Sequence, residues 1–180
     1  MMNRFGAVAI VTTLALSAPA GAADKPPAAR ADQAFLTEAA SAGHMEVELG
    51  RIAQKHASSD RVKEFGQRMV DDHSKAGEDL KQVATRKSIM LPPTMNAMHR
   101  KAVDRLSKLR GKDFDRAYMQ TMVKDHEEDV GKFRKEAETA ADPDVKEFAT
   151  KTLPTLESHL DMAKQVSSEV GHATSGIGRH

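Results

Sequence analysis

The sequence contains no cysteine and no tryptophan, and it contains a single tyrosine. Without thiols the chain cannot form a disulfide, a cysteine nucleophile, a thiolate zinc site or an iron–sulfur cluster. Aromatic residues make up 4% of the chain and charged residues 29%. Because β-strands favour aromatic and β-branched side chains, this composition indicates an amphipathic helical protein rather than a sheet protein.

An excess of charge of one sign is also absent. The chain has 27 lysine and arginine residues against 26 aspartate and glutamate residues, a formal net charge of +1. Without a large basic field, neither a nucleic acid nor an anionic membrane is expected as the main partner. No motif indicates an organic cofactor, and no nucleophile constellation indicates a hydrolase. Whether the protein is an enzyme stays open at this point, as do its protein partners and oligomeric state.

The first 23 residues have the pattern of a secretory signal peptide. A short positive start at Met1 to Arg4 precedes an apolar run from Phe5 to Leu16, which is too short to span a bilayer comfortably. Small residues then offer cleavage sites after Ala22 or Ala23. We therefore expect export across the inner membrane of a bacterial envelope, with the periplasm as the destination and no transmembrane segment in the mature chain.

From Asp32 onward, hydrophobic residues recur every three or four positions, which is the period of an amphipathic helix. Four long helices and one short helix between the second and third are predicted, over about residues 32–56, 61–87, 95–109, 114–139 and from Asp142-Pro143 onward. Gly111 is expected to end the short helix and Asp113 to cap the next one. The pattern predicts an all-α four-helix bundle over residues 32–168, between a flexible leader (24–31) and a flexible tail (169–180).

One stretch of nine residues occurs twice, at 65–73 and at 118–126. Both copies hold an aromatic residue, a Met-Val pair and an Asp-His pair at the same spacing. The aromatic residue, the methionine and the histidine fall at i, i+4 and i+8, so one helix face carries two apolar side chains and an imidazole. His73 and His126 therefore belong to rows of core residues.

Two more polar residues occupy core rows, one in the first long helix and one in the last. Glu46 lies four residues after Ala42, and His159 lies three residues after Leu156. At 1.5 Å per residue, Glu46, His73, His126 and His159 should lie within about 8 Å of one another along the bundle axis, provided that both hairpin turns are at the same end.

One inward polar residue from each of four helices is how bundles build metal sites in their cores. The pattern predicts a single divalent ion, zinc, copper, iron or manganese, and it leaves the choice among them open. The predicted ligands are Glu46, His73, His126 and His159, with Tyr118, Asp115 and Asp72 as candidate outer-shell partners. A di-iron centre of the ferritin type is not expected, because none of the three histidines has a glutamate three residues before it.

A structural interpretation of the same residues stays open. Buried histidine and glutamate side chains can satisfy one another by hydrogen bonds, in which case the protein is a non-enzymatic stress-response or interaction module. Several buried polar groups without partners would each cost on the order of 2 kcal/mol, so either a metal ion or a complete network is needed. Outside the core rows, His44 and Glu48 are spaced i, i+4 and are interpreted as a solvated pair.

Several motifs together resemble one known family. They are Glu46-Val47-Glu48-Leu49-Gly50, Met69-Val70-x-Asp72-His73, Phe114-Asp115-Arg116-Ala117-Tyr118 with His126, and Leu153-Pro154-x-Leu156-x-x-His159. Over roughly residues 34–166 the chain is similar to the bacterial domain-of-unknown-function 4142 family. This resemblance implies a secreted protein with a ferritin-like four-helix fold, and it implies no settled activity.

Overall fold

The computed structural model describes residues 27–172, and within that range the protein is helical without β-strands. The five helices are α1 (Pro27–His56), α2 (Asp60–Arg86), α3 (Ala97–Leu106), α4 (Gly111–Thr139) and α5 (Pro143–His172). They confirm the predicted four-helix bundle with a short helix in the crossover. None of the described helices combines the length and the apolarity that a membrane-spanning helix needs. The predicted signal peptide, residues 1–23, lies outside the described residues.

Both ends of the bundle extend further than the sequence pattern predicts. Helix α1 begins at Pro27, so residues 27–31 of the predicted leader are helical. Proline is favourable at a first helical position, because its missing N–H has no partner to lose there. Helix α5 continues to His172, through residues 169–172 of the predicted tail.

The junction between α3 and α4 differs from the prediction. Gly111 is the first residue of α4, Arg110 occupies the N-cap position, and Asp113 lies in the first turn. Gly111 has a φ angle of +59°, which glycine adopts without the penalty that other residues incur. The chain therefore reverses at this glycine, and Asp113 complements the positive end of the helix dipole from inside the helix.

The two hairpin turns lie at opposite ends of the bundle. The estimate that Glu46, His73, His126 and His159 lie at one level along the axis assumed that both turns are at the same end, and this assumption was wrong. Asp115, near the start of α4, accepts hydrogen bonds from the backbone N–H groups of Ser58 and Ser59 in the α1–α2 turn, at 3.1 Å and 3.0 Å. Asp32, near the start of α1, accepts one from the N–H of Asp142 in the α4–α5 turn, at 2.8 Å. The crossover, residues 87–110, thus returns the chain along the bundle.

The crossover docks on the outside of α1. The hydroxyl of Ser41 is 2.7 Å from Nδ1 of His99, and it accepts a hydrogen bond from the backbone N–H of Asn96 at 2.8 Å. Ser41 and His99 are both buried by this contact. The side chain of Asn96 also caps α3 by accepting from the N–H of His99. These bonds fix α3 over the middle of α1.

The apolar core forms two separate clusters. The cluster nearer the α1–α2 turn contains Leu49, Met69, Phe114, Tyr118 and Met122, among others. The cluster nearer the α4–α5 turn contains Leu36, Leu80, Phe133, Phe148 and Leu156, among others. Both clusters bury aliphatic and aromatic side chains from all four long helices, so each stabilises the bundle by hydrophobic burial. The residues that separate them are polar.

Helices α1 and α2 approach each other most closely at two glycines. A Cβ atom placed on Gly50 would lie 2.5 Å from the carbonyl oxygen of Gly66, and one placed on Gly66 would lie 2.7 Å from Cβ of Ala53. Only glycine permits backbones to approach this closely. The contact lies one turn of α1 beyond Glu46, and it sets how near that carboxyl group comes to α2.

Candidate metal centre

Glu46, His73, His126 and His159 lie together in the middle of the bundle, one from each long helix, and we call them the polar layer. Their exposed fractions are 1%, 8%, 0% and 0% respectively. The centroids of the three imidazole rings are 5.2 to 5.6 Å apart. The predicted layer therefore exists although the turns lie at opposite ends. All four residues are near the midpoints of helices of similar length, where the distance to either end is nearly the same.

Each imidazole ring uses one of its two nitrogens in a hydrogen bond. Nδ1 of His73 donates to Oε2 of Glu46 at 2.8 Å. Nε2 of His159 donates to Oδ2 of Asp72 at 2.8 Å. Nδ1 of His126 donates to the backbone carbonyl of Met122, one turn earlier in α4, at 3.0 Å. Two carboxylates and a carbonyl, all acceptors, thus fix the tautomer and the orientation of the three rings.

The second nitrogen of each ring has no hydrogen-bond partner. Nε2 of His73, Nε2 of His126 and Nδ1 of His159 are all buried and unpartnered. Because the first nitrogen of each ring carries the hydrogen, the second presents a lone pair to the interior. One nitrogen from each of the three histidines lies within 4.8 Å of the others. The layer therefore contains three buried electron-pair donors without partners on rings that lie close together, and a cation is the complement of such donors.

The second oxygen of Glu46 lies beside His126, and Glu46, Asp125 and His126 form a second group of potential ligands that shares His126 with the three histidines. Oε1 of Glu46 is 3.4 Å from Nε2 of His126, but the two atoms do not form a hydrogen bond, and both count among the buried unpartnered atoms. With its hydrogen on Nδ1, His126 has no proton to offer at Nε2. An oxygen of Glu46 and a nitrogen lone pair then lie side by side without a hydrogen bond between them, and a bound cation would relieve this arrangement.

Burial shifts the pKa values of these groups toward their neutral forms. It lowers the pKa of His73 to about 4, that of His126 to about 3 and that of His159 to about 4. Neutral imidazole is the form that ligates metal ions. Burial, together with the nearby charge of Asp129, raises the pKa of Glu46 well above its ordinary value. A bound cation acts in the opposite direction and favours the ionised carboxylate.

Asp125 is a further member of this centre that the sequence-based selection missed. Its Oδ2 atom is buried and unpartnered, and an oxygen of Asp125 lies within 4.8 Å of ligand atoms of Glu46 and His126. Burial and the charge of Glu46 raise the pKa of Asp125 to about 9. The repeat could have identified Asp125. It occupies in the second copy of the nine-residue stretch the place that Asp72, a candidate outer-shell residue, occupies in the first.

The three candidate outer-shell residues have different surroundings. Asp72 bonds to His159 and also accepts from Nε of Arg68 at 2.7 Å. Partial burial acts to raise the pKa of Asp72, but these bonds and the charges of His159 and Arg68 together lower it. The hydroxyl of Tyr118 is buried without a partner, and burial followed by the charges of Glu46 and Asp125 raises its pKa.

Asp115 lies away from the layer, which corrects its assignment as an outer-shell candidate. Both of its carboxylate oxygens are occupied by Ser58 and Ser59. It precedes His126 by eleven residues in α4, a rise of about 16 Å. Glu169 and His172, which have the Glu-x-x-His spacing, lie at the exposed end of α5 and also take no part in the layer.

Comparisons with known proteins identify a family and a fold. The family model described as a domain of unknown function, DUF4142, matches residues 17–166. A DUF305 fragment from Deinococcus radiodurans superposes with a TM-score of 0.69 at 14% identity, covering 80% of this chain and 99% of that one. A DUF305 protein from Streptomyces coelicolor, whose description suggests secretion, superposes with a TM-score of 0.65 at 18% identity, covering 78% and 92%. The search of curated proteins found no match.

Proposed function

Because this chain belongs to the DUF4142 family, whose function is unknown, we propose a function from its own side chains: the bundle core binds one divalent metal ion. The ligands are the free ring nitrogens of His73, His126 and His159, with Glu46 completing the set. One observation carries this proposal. Each of three buried imidazoles has one unpartnered nitrogen and one nitrogen held by a carboxylate or a carbonyl, and the three rings lie close enough to bring a nitrogen of each within 4.8 Å of the others.

This arrangement of acceptors around the rings is the usual surrounding of metal-binding histidines. A ligating histidine generally donates its other N–H to a carboxylate or a backbone carbonyl, which fixes the ring and raises its basicity. In the polar layer Glu46, Asp72 and the carbonyl of Met122 supply these three acceptors. Glu46 has two oxygens, so it can orient His73 through one and bind the ion through the other.

The donor set indicates which ions are suitable. Imidazole with one carboxylate suits zinc, copper and iron and also accommodates manganese, whereas calcium and magnesium prefer oxygen ligands alone. Bonds of about 2.0 to 2.1 Å to zinc place tetrahedral ligands about 3.3 Å apart. Since the histidine nitrogens already lie within 4.8 Å of one another, their mutual approach on binding is at most about 1.5 Å.

A purely structural layer fits the contacts less well. Such a layer would pair its buried polar atoms with one another, yet Oε1 of Glu46 and a nitrogen of each histidine have no hydrogen-bond partner. A buried polar atom that stays unpartnered costs on the order of 2 kcal/mol. From the N-terminal pattern of residues 1–23 we also infer that the protein acts in the periplasm, where it would meet metal ions that enter the envelope.

Elemental analysis tests metal binding directly. The chain from residue 24 onward, without a His tag and purified without chelator, is expected to hold close to one ion per chain after incubation with zinc, copper, iron or manganese. His73→Gln and His126→Gln should lose most of this metal, while His172→Gln, at the exposed end of α5, should retain it. If wild type bound none of the four ions, or if the core variants bound as much as wild type, the proposal would fail.

A further inference from the structure

A groove of about 970 Å³ leads from the surface to the polar layer. It runs between α1 and α2 on the side of the second apolar cluster, and the crossover forms its outer wall. Small residues line it where the two helices face each other, Gly43 on α1 and Ala76 and Gly77 on α2. A Cβ atom on Gly43 or Gly77 would meet nothing within 4 Å. The helices are therefore open here, in contrast to their close contact at Gly50 and Gly66.

Side chains of the types that can ligate metal ions line the groove at both ends. Its inner end is lined by Glu46 and His73, two of the four residues of the polar layer. Its outer part is lined by His44, which is exposed, and by Glu48, which lies one helical turn further along α1 and is partly exposed. The i, i+4 pair that the sequence pattern indicates as merely solvated thus lies on the wall of a path to the buried layer.

We propose that this groove is the route by which a hydrated divalent cation reaches the polar layer, with His44 and Glu48 as the first side chains to bind it. The inference rests on the proposed function and adds the path to it. All four layer residues are at least 92% buried, so an ion cannot reach them from bulk water without such a path. A groove that already touches Glu46 and His73 lets the ion exchange water molecules for protein ligands stepwise.

A route has a kinetic signature that distinguishes it from a binding site. A residue on the route contacts the ion during passage and not in the bound state. Its replacement therefore changes the association and dissociation rate constants by the same factor and leaves the Kd unchanged. A residue that ligates the bound ion instead changes the Kd, mostly through dissociation.

Gly43→Leu tests the route, because the new side chain enters open space on the groove wall. The matched control is Gly131→Leu on α4, where a Cβ atom also meets nothing within 4 Å and the position is exposed away from the groove. Both changes replace a helical glycine by the same residue, so their effects on helix propensity are alike. Circular dichroism should show the same helix content in both variants.

Stopped-flow uptake of cobalt(II), followed by its visible absorption, gives the rates. Gly43→Leu should slow association and dissociation by about tenfold with the Kd unchanged, and Gly131→Leu should match wild type. The double variant His44→Ala/Glu48→Ala should slow association several-fold with little change in absorption spectrum. Wild-type rates in Gly43→Leu, or a raised Kd with an unchanged association rate, would overturn the route and leave metal binding intact. Failure of wild type to bind cobalt and each of zinc, copper, iron and manganese would instead remove the proposed function, and the route with it.

Discussion

Glu46 and His73 are joined across the α1–α2 interface by a 2.8 Å hydrogen bond between Oε2 of the carboxyl group and Nδ1 of the ring. This bond occupies Nδ1 of His73 and leaves Nε2 as the unpartnered nitrogen of the ring. It also leaves Oε1 of Glu46 close to Nε2 of His126. A single carboxyl group therefore orients one histidine and adds a donor atom beside a second.

Replacing Glu46 by glutamine should weaken metal binding about 10- to 100-fold, which is the usual effect of losing a partner of a metal-binding histidine. The amide keeps the size of the side chain and removes the negative charge. The Kd for zinc, measured by competition with a chromophoric chelator, is the readout. Glu157→Gln, which alters a surface pair with Arg134, is the control and should not change the Kd. Equal affinities in wild type and Glu46→Gln would exclude this carboxyl group from the site.

The metal-free protein should show a pH dependence of stability that depends on His126. The folded-state pKa of His126 is lowered to about 3, so below its ordinary value of 6.5 the unfolded chain takes up a proton that the folded chain does not. The stability associated with neutral His126 is present above pH 6.5 and is lost as the pH falls toward 3. The free energy of unfolding should fall by about 1.4 kcal/mol per pH unit from this residue alone.

The raised pKa values of Glu46 and Asp125 change the stability with pH in the opposite direction, and they do so in wild type and in His126→Gln alike. Comparing the two proteins therefore isolates the contribution of His126. Urea unfolding measures the difference in free energy of unfolding between wild type and variant. That difference should decrease by on the order of 2 kcal/mol between about pH 6.5 and about pH 5. A constant difference over this range would mean that His126 already titrates normally in the folded protein.

Metal binding should raise the thermal stability of the folded chain. A ligand that binds only the folded state at 100 times its Kd adds about 2.7 kcal/mol, which corresponds to several degrees in Tm for a domain of this size. Differential scanning calorimetry with and without excess zinc measures the shift, and chelator should reverse it. His159→Gln should show a much smaller shift, whereas the surface variant His172→Gln should match wild type. A full shift in His159→Gln would place the ion elsewhere.

The glycine contact between α1 and α2 gives a prediction about the fold. Gly50→Ala should destabilise the protein by about 1 to 3 kcal/mol, because its Cβ would lie 2.5 Å from a backbone oxygen that cannot rotate away. Gly131→Ala, which meets nothing within 4 Å, should be neutral or slightly stabilising since alanine favours helix. Chemical denaturation of both variants is the measurement. If the two glycines tolerated alanine equally, the close contact would not exist in solution.

The helices and the inward position of the polar residues were predictable, because both follow from the 3.6-residue period. The depth of the layer was also predicted, although the assumed placement of the turns was wrong. Residues near the middle of long helices, such as His73 and His126, meet at one level in either topology. Asp115 shows the limit of this reasoning, since its partners Ser58 and Ser59 lie on a turn whose position the period does not determine.

The orientation of each ring could not be predicted from the sequence. The acceptor for His159 comes from Asp72 on a different helix, and only the packing of α2 against α5 brings them together. The groove beside the layer depends in the same way on how α1 and α2 separate beyond Gly50. Both features are tertiary, and no local pattern of residues encodes them.

Anomalous X-ray diffraction from a crystal of the zinc-loaded protein, recorded at the zinc absorption edge, tests the central claim most directly. We expect one strong peak in the middle of the bundle, about 2.0 to 2.2 Å from Nε2 of His73, Nε2 of His126, Nδ1 of His159 and an oxygen of Glu46. A peak only at surface residues such as His44 or His172, or the absence of any peak from the bundle core, would contradict it.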